Sequence, residues 1–182
     1  MYILNRQRGY KVNILSVKSS QETQALASEL AALLHPGTVI LLDGPLGSGK
    51  TTFTQGLGKA LGIKRAIKSP TYTIVKEYSI EEPEAFELIH IDAYRLETGG
   101  ADSIDLHSYL RPDTVVLIEW SEFVADYLPS DYIRIKFIPQ DELTLREIEI
   151  STHGTKGQLE YCELVATWLK NWERVEASHD SI

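Results

Sequence analysis

A glycine-rich segment with one lysine is the part of this chain whose residue types and spacing are most able to do chemistry. Residues 44–51 read GPLGSGKT and match the pattern G-x-x-x-x-G-K-[ST] at every fixed position. Glycines adopt backbone angles that side chains forbid, so successive N–H groups can converge on phosphate oxygens. Lys50 would place a point charge on the β- and γ-phosphates, and the Thr51 hydroxyl would bind Mg²⁺. The segment therefore predicts a site for a nucleoside triphosphate and Mg²⁺.

Two acidic side chains stand where a nucleotide-hydrolysing site of this type needs one, at the ends of predicted strands. Asp92 follows residues 88–91, and Glu119 follows residues 115–118. Because ligands gather at the carboxyl ends of strands in a parallel sheet, both acids are expected to face the phosphates. Spacing does not separate a metal ligand from a residue that orients the attacking water, so both roles stay open for each acid. Asp43 also ends a strand, but its place at the start of the glycine segment favours a structural role.

Three further side chains near these acids have both a chemical and a structural interpretation. Thr71 follows a Ser-Pro pair, and a threonine in such a loop can sense the γ-phosphate by contacting Mg²⁺; alternatively the pair is a turn that enters a strand. His90 is predicted to be a packed strand residue rather than a catalytic one. Arg95 would either approach the phosphates or form a salt bridge.

Hydrophobic spacing predicts the elements that surround the glycine segment. A capping box of the form Ser-x-x-Glu at residues 19–22 precedes leucines at helical spacing, which predicts a helix over residues 21–34. Residues 12–17 alternate and predict a short edge strand. The apolar run at residues 38–42 predicts a strand buried on both faces, and a helix over residues 52–61 follows the glycine segment.

The second half of the chain contains pairs of strand-like segments separated by turns, one fully apolar run and one amphipathic segment. The pairs predict antiparallel hairpins, and the apolar run predicts a second central strand. The aromatic residues of the amphipathic segment share one face, which predicts packing against the core. These elements are hairpin strands at 72–80 with 86–91 and at 131–138 with 143–150, the apolar run at 114–118, and a helix at 159–175 that carries Tyr161, Val165, Trp168, Leu169 and Trp172.

The order of these elements predicts an α/β fold, a three-layer P-loop NTPase-like domain with a mixed, mostly parallel central sheet. The apolar runs at residues 38–42 and 114–118 are expected to be its central strands. A length of 182 residues suits one domain. Residues 1–13 are predicted to be an N-terminal extension, and residues 176–182 a flexible tail.

Composition and charge exclude several classes of protein. The chain has 18 Lys+Arg against 26 Asp+Glu, a net charge of −8, which disfavours a protein that grips nucleic acid by itself. The single cysteine, Cys162, excludes a disulfide framework and a cysteine-rich zinc site. No apolar run approaches the roughly 20 residues that a membrane helix needs, and the start lacks the apolar region of a secretory signal. A soluble, cytoplasmic protein is therefore expected.

Four segments, taken in this order, resemble the TsaE family of bacterial P-loop ATPases. They are residues 44–52, SPTYT at residues 69–73, HIDAYRL at residues 90–96 and IEW at residues 118–120, within a resemblance over residues 14–170. The resemblance implies Mg²⁺-dependent ATP hydrolysis that assists the TsaB and TsaD proteins in making N6-threonylcarbamoyladenosine at position 37 of certain tRNAs. ATP and Mg²⁺ are the implied cofactors, and the tRNA is acted on through the complex.

The same resemblance implies roles for single residues. Lys50, Asp92 and Glu119 are the implied catalytic residues, and Thr51, Glu119 and Asp92 are the implied Mg²⁺ ligands. Residues 153–157 match a loop that closes the base pocket. The implied nucleotide-binding residues are Gly44, Leu46, Gly47, Ser48, Gly49, Lys50, Thr51, Thr52, Thr23, Thr71 and Trp120.

Some positions depart from the family pattern, and others match it outside the main motifs. Pro45 stands where an acidic residue is usual, and because it has no N–H the loop has one donor fewer. Ser48 stands where alanine is common. Thr23 belongs to a segment where family members approach the base, and Trp120 matches an aromatic position near the nucleotide.

Three other functions have sequence signals that can be compared with this chain. A small-molecule P-loop kinase usually has a mobile lid that bears arginine, but between residues 121 and 160 the arginines, Arg134 and Arg146, fall in predicted strands. A GTP-dependent switch normally has an Asn/Thr-Lys-x-Asp segment, which is absent here, so adenine is favoured. A module that binds nucleotide without hydrolysing it stays an alternative, and it is tested by Asp92→Ala or Glu119→Ala, which should abolish hydrolysis if the chain is an enzyme.

Overall fold

An eight-stranded mixed sheet forms the centre of the computed structural model of this chain. The structure describes residues 5–7, 10–81, 85–98, 100–141, 144–154 and 158–179, and the elements below are those of these residues. The strand order across the sheet is β1-β2-β8-β7-β3-β6-β5-β4. The strands are β1 Asn5–Gln7, β2 Tyr10–Val17, β3 Val39–Asp43, β4 Val75–Ile80, β5 Phe86–Asp92, β6 Thr114–Glu119, β7 Tyr132–Pro139 and β8 Arg146–His153, and the α-helices are α1 Ser20–Ala31, α2 Lys50–Ala60 and α3 Gln158–His179.

The centre of the sheet is parallel and its two sides are antiparallel. Strands β7, β3, β6 and β5 pair in parallel, and the other neighbours pair antiparallel. The predicted α/β class and mixed sheet are confirmed, as are both predicted hairpins, β4–β5 and β7–β8. The parallel part is smaller than the sequence suggests, because the hairpins β1–β2, β4–β5 and β7–β8 have turns too short for parallel pairing, and β2 then pairs antiparallel with β8.

The register of the central strands aligns the ends that carry acids. Strands β3 and β6 are buried almost along their whole length, which explains their continuous apolar sequence. Glu119 at the end of β6 pairs with Leu42 of β3 on one side and with Asp92 of β5 on the other. The loop that follows β3 therefore begins at the same edge of the sheet as the two acids.

Different kinds of helix cover the two faces of the sheet. The α-helices pack on one face, where Leu26, Phe53 and Trp168 belong to a single apolar core. Short 3₁₀ helices and their loops cover the opposite face, where Leu96 and Leu106 belong to a second core. The predicted three layers are present, and 3₁₀ segments rather than α-helices form the third.

Helix α1 begins at the predicted capping box. The Ser19 hydroxyl accepts a hydrogen bond from the Glu22 N–H at 3.1 Å. The Glu22 carboxylate in turn accepts from the N–H of Lys18 at 2.7 Å, so the two side chains satisfy N–H groups at the start of the helix. The helix ends at Ala31 rather than at residue 34, because Leu33 and Leu34 continue in a turn closed onto the last helical carbonyls.

The N-terminal residues extend the sheet. Strand β2 pairs with β8 on one side and with β1 on the other. Strand β1 pairs only with Tyr10, Lys11 and Val12 of β2, so among the described residues 13–17 keep the predicted edge position, while part of the predicted N-terminal extension folds back as β1. The alternating pattern of residues 12–17 predicted the strand correctly, but it does not show that an earlier segment of the chain pairs with this strand.

Helix α3 packs its aromatic face into the core as predicted. Trp168 and Trp172 are buried, and the Trp168 Nε1–H donates to the carbonyl of Leu26 at 2.8 Å. The helix continues to His179, so the predicted flexible tail at 176–182 is helical as far as that residue. Among the described residues, no helix is both long and apolar enough to cross a membrane.

Candidate functional site

The loop between β3 and α2 has a backbone geometry that requires glycine. Gly44 has φ 141°, and a Cβ at this position would lie 2.6 Å from the carbonyl oxygen of Phe137. Gly49 has φ 114° and stands at the N-cap of α2, where no side chain caps the helix. The first N–H groups of α2 and the positive end of the helix dipole are therefore left for an anion.

A cavity of about 360 Å³ adjoins this loop and the carboxyl ends of β5 and β6. Its volume falls in the range of roughly 300–1,000 Å³ that is usual for ligand sites. The fold brings most of the predicted site residues to this one cavity from four separate segments of the chain. The predicted residues that line it are Leu46, Gly47, Ser48, Gly49, Lys50, Thr51, Thr52, Thr71, Asp92, Glu119 and Trp120.

Some predicted residues lie elsewhere. Gly44 does not line the cavity, but its carbonyl accepts a hydrogen bond from Lys50. Thr23 is buried in α1, and its hydroxyl donates to the Ser19 carbonyl at 3.0 Å. Residues 155–157 of the predicted late loop lie outside the described residues. The roles of Thr23 and of this loop at the base stay predictions.

Lys50 is the cation of the cavity, and the protein itself satisfies its ammonium group. Its Nζ donates to the carbonyl of Gly44 at 2.6 Å and to that of Pro45 at 3.0 Å. The same atom lies 4.4 Å from the centroid of the Trp120 ring. Burial lowers the pKa of Lys50, and the negative charges of Glu119 and Asp92 oppose that effect. An anion in the cavity would favour the protonated form of Lys50 in the same way as these two acids.

Asp92 is held by donors from two segments. Its Oδ2 accepts hydrogen bonds from the hydroxyls of Ser69 at 2.6 Å and Thr71 at 2.7 Å, and its Oδ1 accepts from the Tyr94 N–H at 3.0 Å. Ser69 and Tyr94 also line the cavity, although neither was among the predicted site residues. The carboxylate thus ties the loop before β4 to the end of β5.

Glu119 has one neighbour that the sequence interpretation left outside the site. Its Oε1 lies 2.8 Å from Nε2 of His90, and both residues are almost completely buried. His90 is packed in its strand as predicted, and it also contacts an acid of the cavity. The sequence does show that His90 stands two residues before Asp92, on the same side of the predicted strand. It does not show that β6, which carries Glu119, is the strand beside β5.

The loop at residues 69–74 ends in a strained residue. Ile74 has φ 67°, a left-handed conformation that is unfavourable for a β-branched side chain. Its N–H donates to the Pro70 carbonyl at 2.6 Å, and its carbonyl accepts from the Asp92 N–H at 2.8 Å. Strain of this kind costs on the order of 1–3 kcal/mol and persists where the surroundings fix it. Here the Asp92 N–H holds the carbonyl of Ile74, and the Asp92 carboxylate holds Ser69 and Thr71 earlier in the same loop.

Aromatic rings form one wall of the cavity. Trp120 has φ 58° and follows Glu119 directly. Its ring lies 5.1 Å from that of Tyr94 and 6.1 Å from that of Phe123, measured between centroids. Leu46 and Tyr94 line the same cavity; Leu46 is almost fully exposed and Tyr94 is about half exposed. The wall therefore combines the Trp120 ring, which packs against neighbouring rings, with side chains that are open to solvent.

Asp43 has the structural role that its position favoured. Its Oδ1 accepts a hydrogen bond from the Ser121 hydroxyl at 2.8 Å. Its Oδ2 lies 3.0 Å from Nε of Arg134 and forms an ion pair with it. These contacts join the start of the glycine loop to β7 and to the turn after β6.

Two arginines near the site have roles that the sequence did not indicate. Arg146 on β8 donates from Nε to the Ser48 carbonyl at 3.2 Å, which supports the glycine loop from behind. Arg95 was expected to approach the phosphates or to form a salt bridge. Its guanidinium instead lies 4.5 Å from the centroid of the exposed Tyr72 ring, and it forms no ion pair with the described residues.

The oxygen donors of the cavity fit a hard cation such as Mg²⁺. The Thr51 hydroxyl and Oε2 of Glu119 have no protein partner among the described residues, so both are available as ligands. The described part of the chain has no group of three or more His, Cys, Asp or Glu side chains arranged to hold a metal. Mg²⁺ does not require one, because it is usually bound by one or two carboxylates together with substrate phosphates and water.

The strand–glycine loop–helix unit, with acids at the ends of neighbouring parallel strands, defines a P-loop NTPase-like fold. Residues 17–148 match the family model of the "Threonylcarbamoyl adenosine biosynthesis protein TsaE". The chain belongs to the TsaE family, which acts in tRNA threonylcarbamoyladenosine biosynthesis. The resemblance carried by the four sequence motifs is confirmed.

Individual relatives agree with this assignment. The chain is 39% identical over 145 residues to the tRNA threonylcarbamoyladenosine biosynthesis protein TsaE of Bacillus subtilis, covering 79% of this chain and 87% of the relative. It is 42% identical over 135 residues to the protein of the same name from a Nostoc species, covering 72% and 80%. The crystal structure of YdiB from Bacillus subtilis superposes with a TM-score of 0.70 at 30% identity, covering 93% of this chain and 99% of YdiB.

Proposed function

We propose that this chain binds ATP with Mg²⁺ and hydrolyses it in the cytoplasm. Hydrolysis would support the TsaB–TsaD complex in forming N6-threonylcarbamoyladenosine at position 37 of tRNA. The observation that carries the proposal is the meeting of Lys50, Asp92 and Glu119 in one cavity beside the N-terminus of α2. Cation, acids and helix terminus are the parts that a P-loop ATPase needs, and their arrangement agrees with the family assignment.

The β- and γ-phosphates would be held by the loop and by Lys50. The uncapped first turn of α2 offers N–H groups, and Lys50 exchanges its carbonyl contacts for phosphate oxygens. Thr51 and Glu119 would hold Mg²⁺, because each has an oxygen without a protein partner among the described residues. Bound there, Mg²⁺ supplies positive charge to the β- and γ-phosphate oxygens.

Asp92 would orient water. Its carboxylate already accepts hydrogen bonds from Ser69, Thr71 and Tyr94, whereas an ionised carboxylate has about four acceptor sites. The remaining site suits a water that attacks the γ-phosphate or that belongs to the metal. The Thr71 hydroxyl donates to the same carboxylate. Loss of the γ-phosphate would therefore change the position of Asp92, and with it the loop at residues 69–74.

Hydrolysis by the chain alone would be slow. Lys50 is the single cation among the described residues that line the cavity, and no arginine is among them. An arginine that reaches the transferred phosphate is worth about 10³–10⁵ in rate. The guanidinium of Arg95 lies over the Tyr72 ring and not in the cavity. The second positive charge at the phosphates would therefore come from a partner protein, or from Arg95 itself if its segment moves when a partner binds.

The test measures binding and turnover separately. Calorimetry with ATP, ADP and GTP in the presence of Mg²⁺ is expected to show uptake of the adenine nucleotides in preference to GTP. Phosphate release is then followed with the chain alone and with purified TsaB and TsaD, and we expect a clear rise in rate with the partners. No uptake of ATP, or equal rates with and without the partners, would contradict the proposal.

A further inference from the structure

His90 connects the interior of β5 to the acid at the end of β6. Its side chain is 0% exposed, and its Nε2 lies 2.8 Å from Oε1 of Glu119, which is itself 2% exposed. Glu119 lines the cavity, whereas His90 does not. The imidazole therefore contacts Glu119 from the protein interior, behind the part of the acid that meets the cavity.

The two nitrogens of the His90 ring have different surroundings. Nδ1 is buried and has no hydrogen-bond partner among the described residues, whereas Nε2 faces a carboxylate oxygen. A proton on Nδ1 would leave a buried N–H group unpaired, which is rarer in proteins than an unused acceptor. The surroundings therefore favour the tautomer that carries its proton on Nε2 and donates it to Glu119.

Packing alone does not account for an imidazole at this position. The neighbouring strand residues Ile89 and Ile91 are fully buried and apolar. A buried ring with an unpaired Nδ1 costs free energy that an apolar side chain of similar size would avoid. The contact with Glu119 is the feature that distinguishes His90 from these neighbours.

We propose that His90 is a positioning residue that fixes Oε1 of Glu119 and leaves Oε2 for Mg²⁺. Oε2 has no protein partner among the described residues, so the hydrogen bond from His90 decides how the carboxylate is held before the metal arrives. Groups that hydrogen-bond to a metal ligand orient it and strengthen metal binding. The inference rests on the proposed function, because it assigns His90 to a Mg²⁺ ligand of the same site.

The test compares two replacements of similar length. His90→Gln keeps an N–H donor within reach of Glu119, and His90→Met fills the space without one. The affinity for Mn²⁺ is measured by electron paramagnetic resonance in the presence of a non-hydrolysable ATP analogue. The affinity for the same analogue is measured in parallel without metal, and thermal unfolding checks that each variant folds.

We expect His90→Met to weaken Mn²⁺ binding by roughly 10–100-fold, the usual effect of losing such a partner. Metal-free binding of the analogue should change little, and His90→Gln should recover most of the Mn²⁺ affinity. Equal Mn²⁺ affinity in the wild type and His90→Met would overturn the proposal. An equal loss in both variants would also overturn it, because it would point to packing rather than to the hydrogen bond.

A measurement on the wild type keeps the inference testable if His90→Met does not fold. The ¹⁵N chemical shifts of the His90 ring report which nitrogen carries the proton, and we expect Nε2. A proton on Nδ1 would overturn the proposal. Wild-type protein that binds neither the analogue nor Mn²⁺ would instead contradict the proposed function, so the two failures are distinguishable.

Discussion

Asp92 and Glu119 lie directly opposite each other in the register of β5 and β6, and each is 2% exposed. Different donors hold the two carboxylates. Hydroxyls of the loop at residues 69–74 donate to Asp92, and Glu119 contacts the buried ring of His90. The pair therefore links one cavity to two separate parts of the protein, one of which is a surface loop and the other the core of the sheet.

Removing the charge of Glu119 should separate binding from hydrolysis. Glu119→Gln keeps the shape of the side chain but loses the negative oxygen proposed for Mg²⁺. We expect partner-stimulated phosphate release to fall by about 10²–10³-fold, the scale seen when one electrostatic stabiliser is lost. Metal-free nucleotide binding, measured by calorimetry, should change little. Glu163→Gln, at an exposed acid of α3 that does not line the cavity, is the matched control and should keep its activity.

The hydroxyl of Thr71 offers a test of the link between the loop and Asp92. Thr71→Val keeps the shape but removes one donor to the carboxylate. Hydrogen bonds to charged groups are worth roughly 1.5–3 kcal/mol, so we expect partner-stimulated hydrolysis to fall by about tenfold or more. Amide hydrogen exchange at residues 69–74 should become faster in the variant.

Thr73→Val is the control for this prediction, because Thr73 is exposed and its side chain has no hydrogen bond among the described residues. Hydrolysis and loop exchange that stay at wild-type levels in Thr71→Val would show that the contact with Asp92 does not matter.

Local sequence patterns predicted those parts of the site in which a functional residue directly follows a recognisable strand. The glycine loop follows β3, and the acids end strands whose apolar runs are visible in the sequence, so Lys50, Asp92 and Glu119 could be placed at one sheet edge. The shared core face of α3 followed from helical spacing, and the start of α1 from its capping box.

The remaining contacts depend on strand order, which local patterns do not contain. The ion pair of Arg134 with Asp43 and the support of Ser48 by Arg146 exist because β7 and β8 lie on the far side of β3. The contact of His90 with Glu119 requires β5 and β6 to be neighbours in register. The 3₁₀ layer is also unpredicted, because such short segments have too few residues to show a period.

The pKa of Lys50 makes a prediction about stability and pH. Burial lowers this pKa from the ordinary value of 10.5, so between the folded-state pKa and 10.5 the unfolded chain binds more protons than the folded one. Stability from this group therefore rises with pH through that window. We expect urea unfolding of the ligand-free wild type to gain stability relative to Lys50→Met as the pH rises towards 10.5.

Lys59→Met is the control for the pH experiment. Lys59 lies on the same helix but is exposed, so its stability difference from the wild type should depend little on pH. Saturating ATP should weaken the trend for Lys50, because phosphate charge favours the protonated lysine. A difference between the wild type and Lys50→Met that stays constant from neutral to alkaline pH would contradict the assignment of a lowered pKa.

Two glycines allow strain and steric exclusion to be separated. Gly62 has φ 78°, and a Cβ there would meet nothing within 4 Å, so Gly62→Ala should cost only the strain of a left-handed residue, about 1–2 kcal/mol. Gly44→Ala would add contact with the Phe137 carbonyl at 2.6 Å, and we expect a loss of about 3 kcal/mol or more.

Urea unfolding measures the loss of stability in each variant, and calorimetry measures the affinity of each variant for ATP. Because Gly44 begins the loop that carries Lys50, its replacement should weaken ATP binding, whereas Gly62→Ala should leave binding unchanged. Equal losses of stability in the two variants would mean that β7 can shift enough to make room for a methyl group at position 44. In that case the close approach of Gly44 to β7 would not be what holds the loop in its phosphate-binding shape.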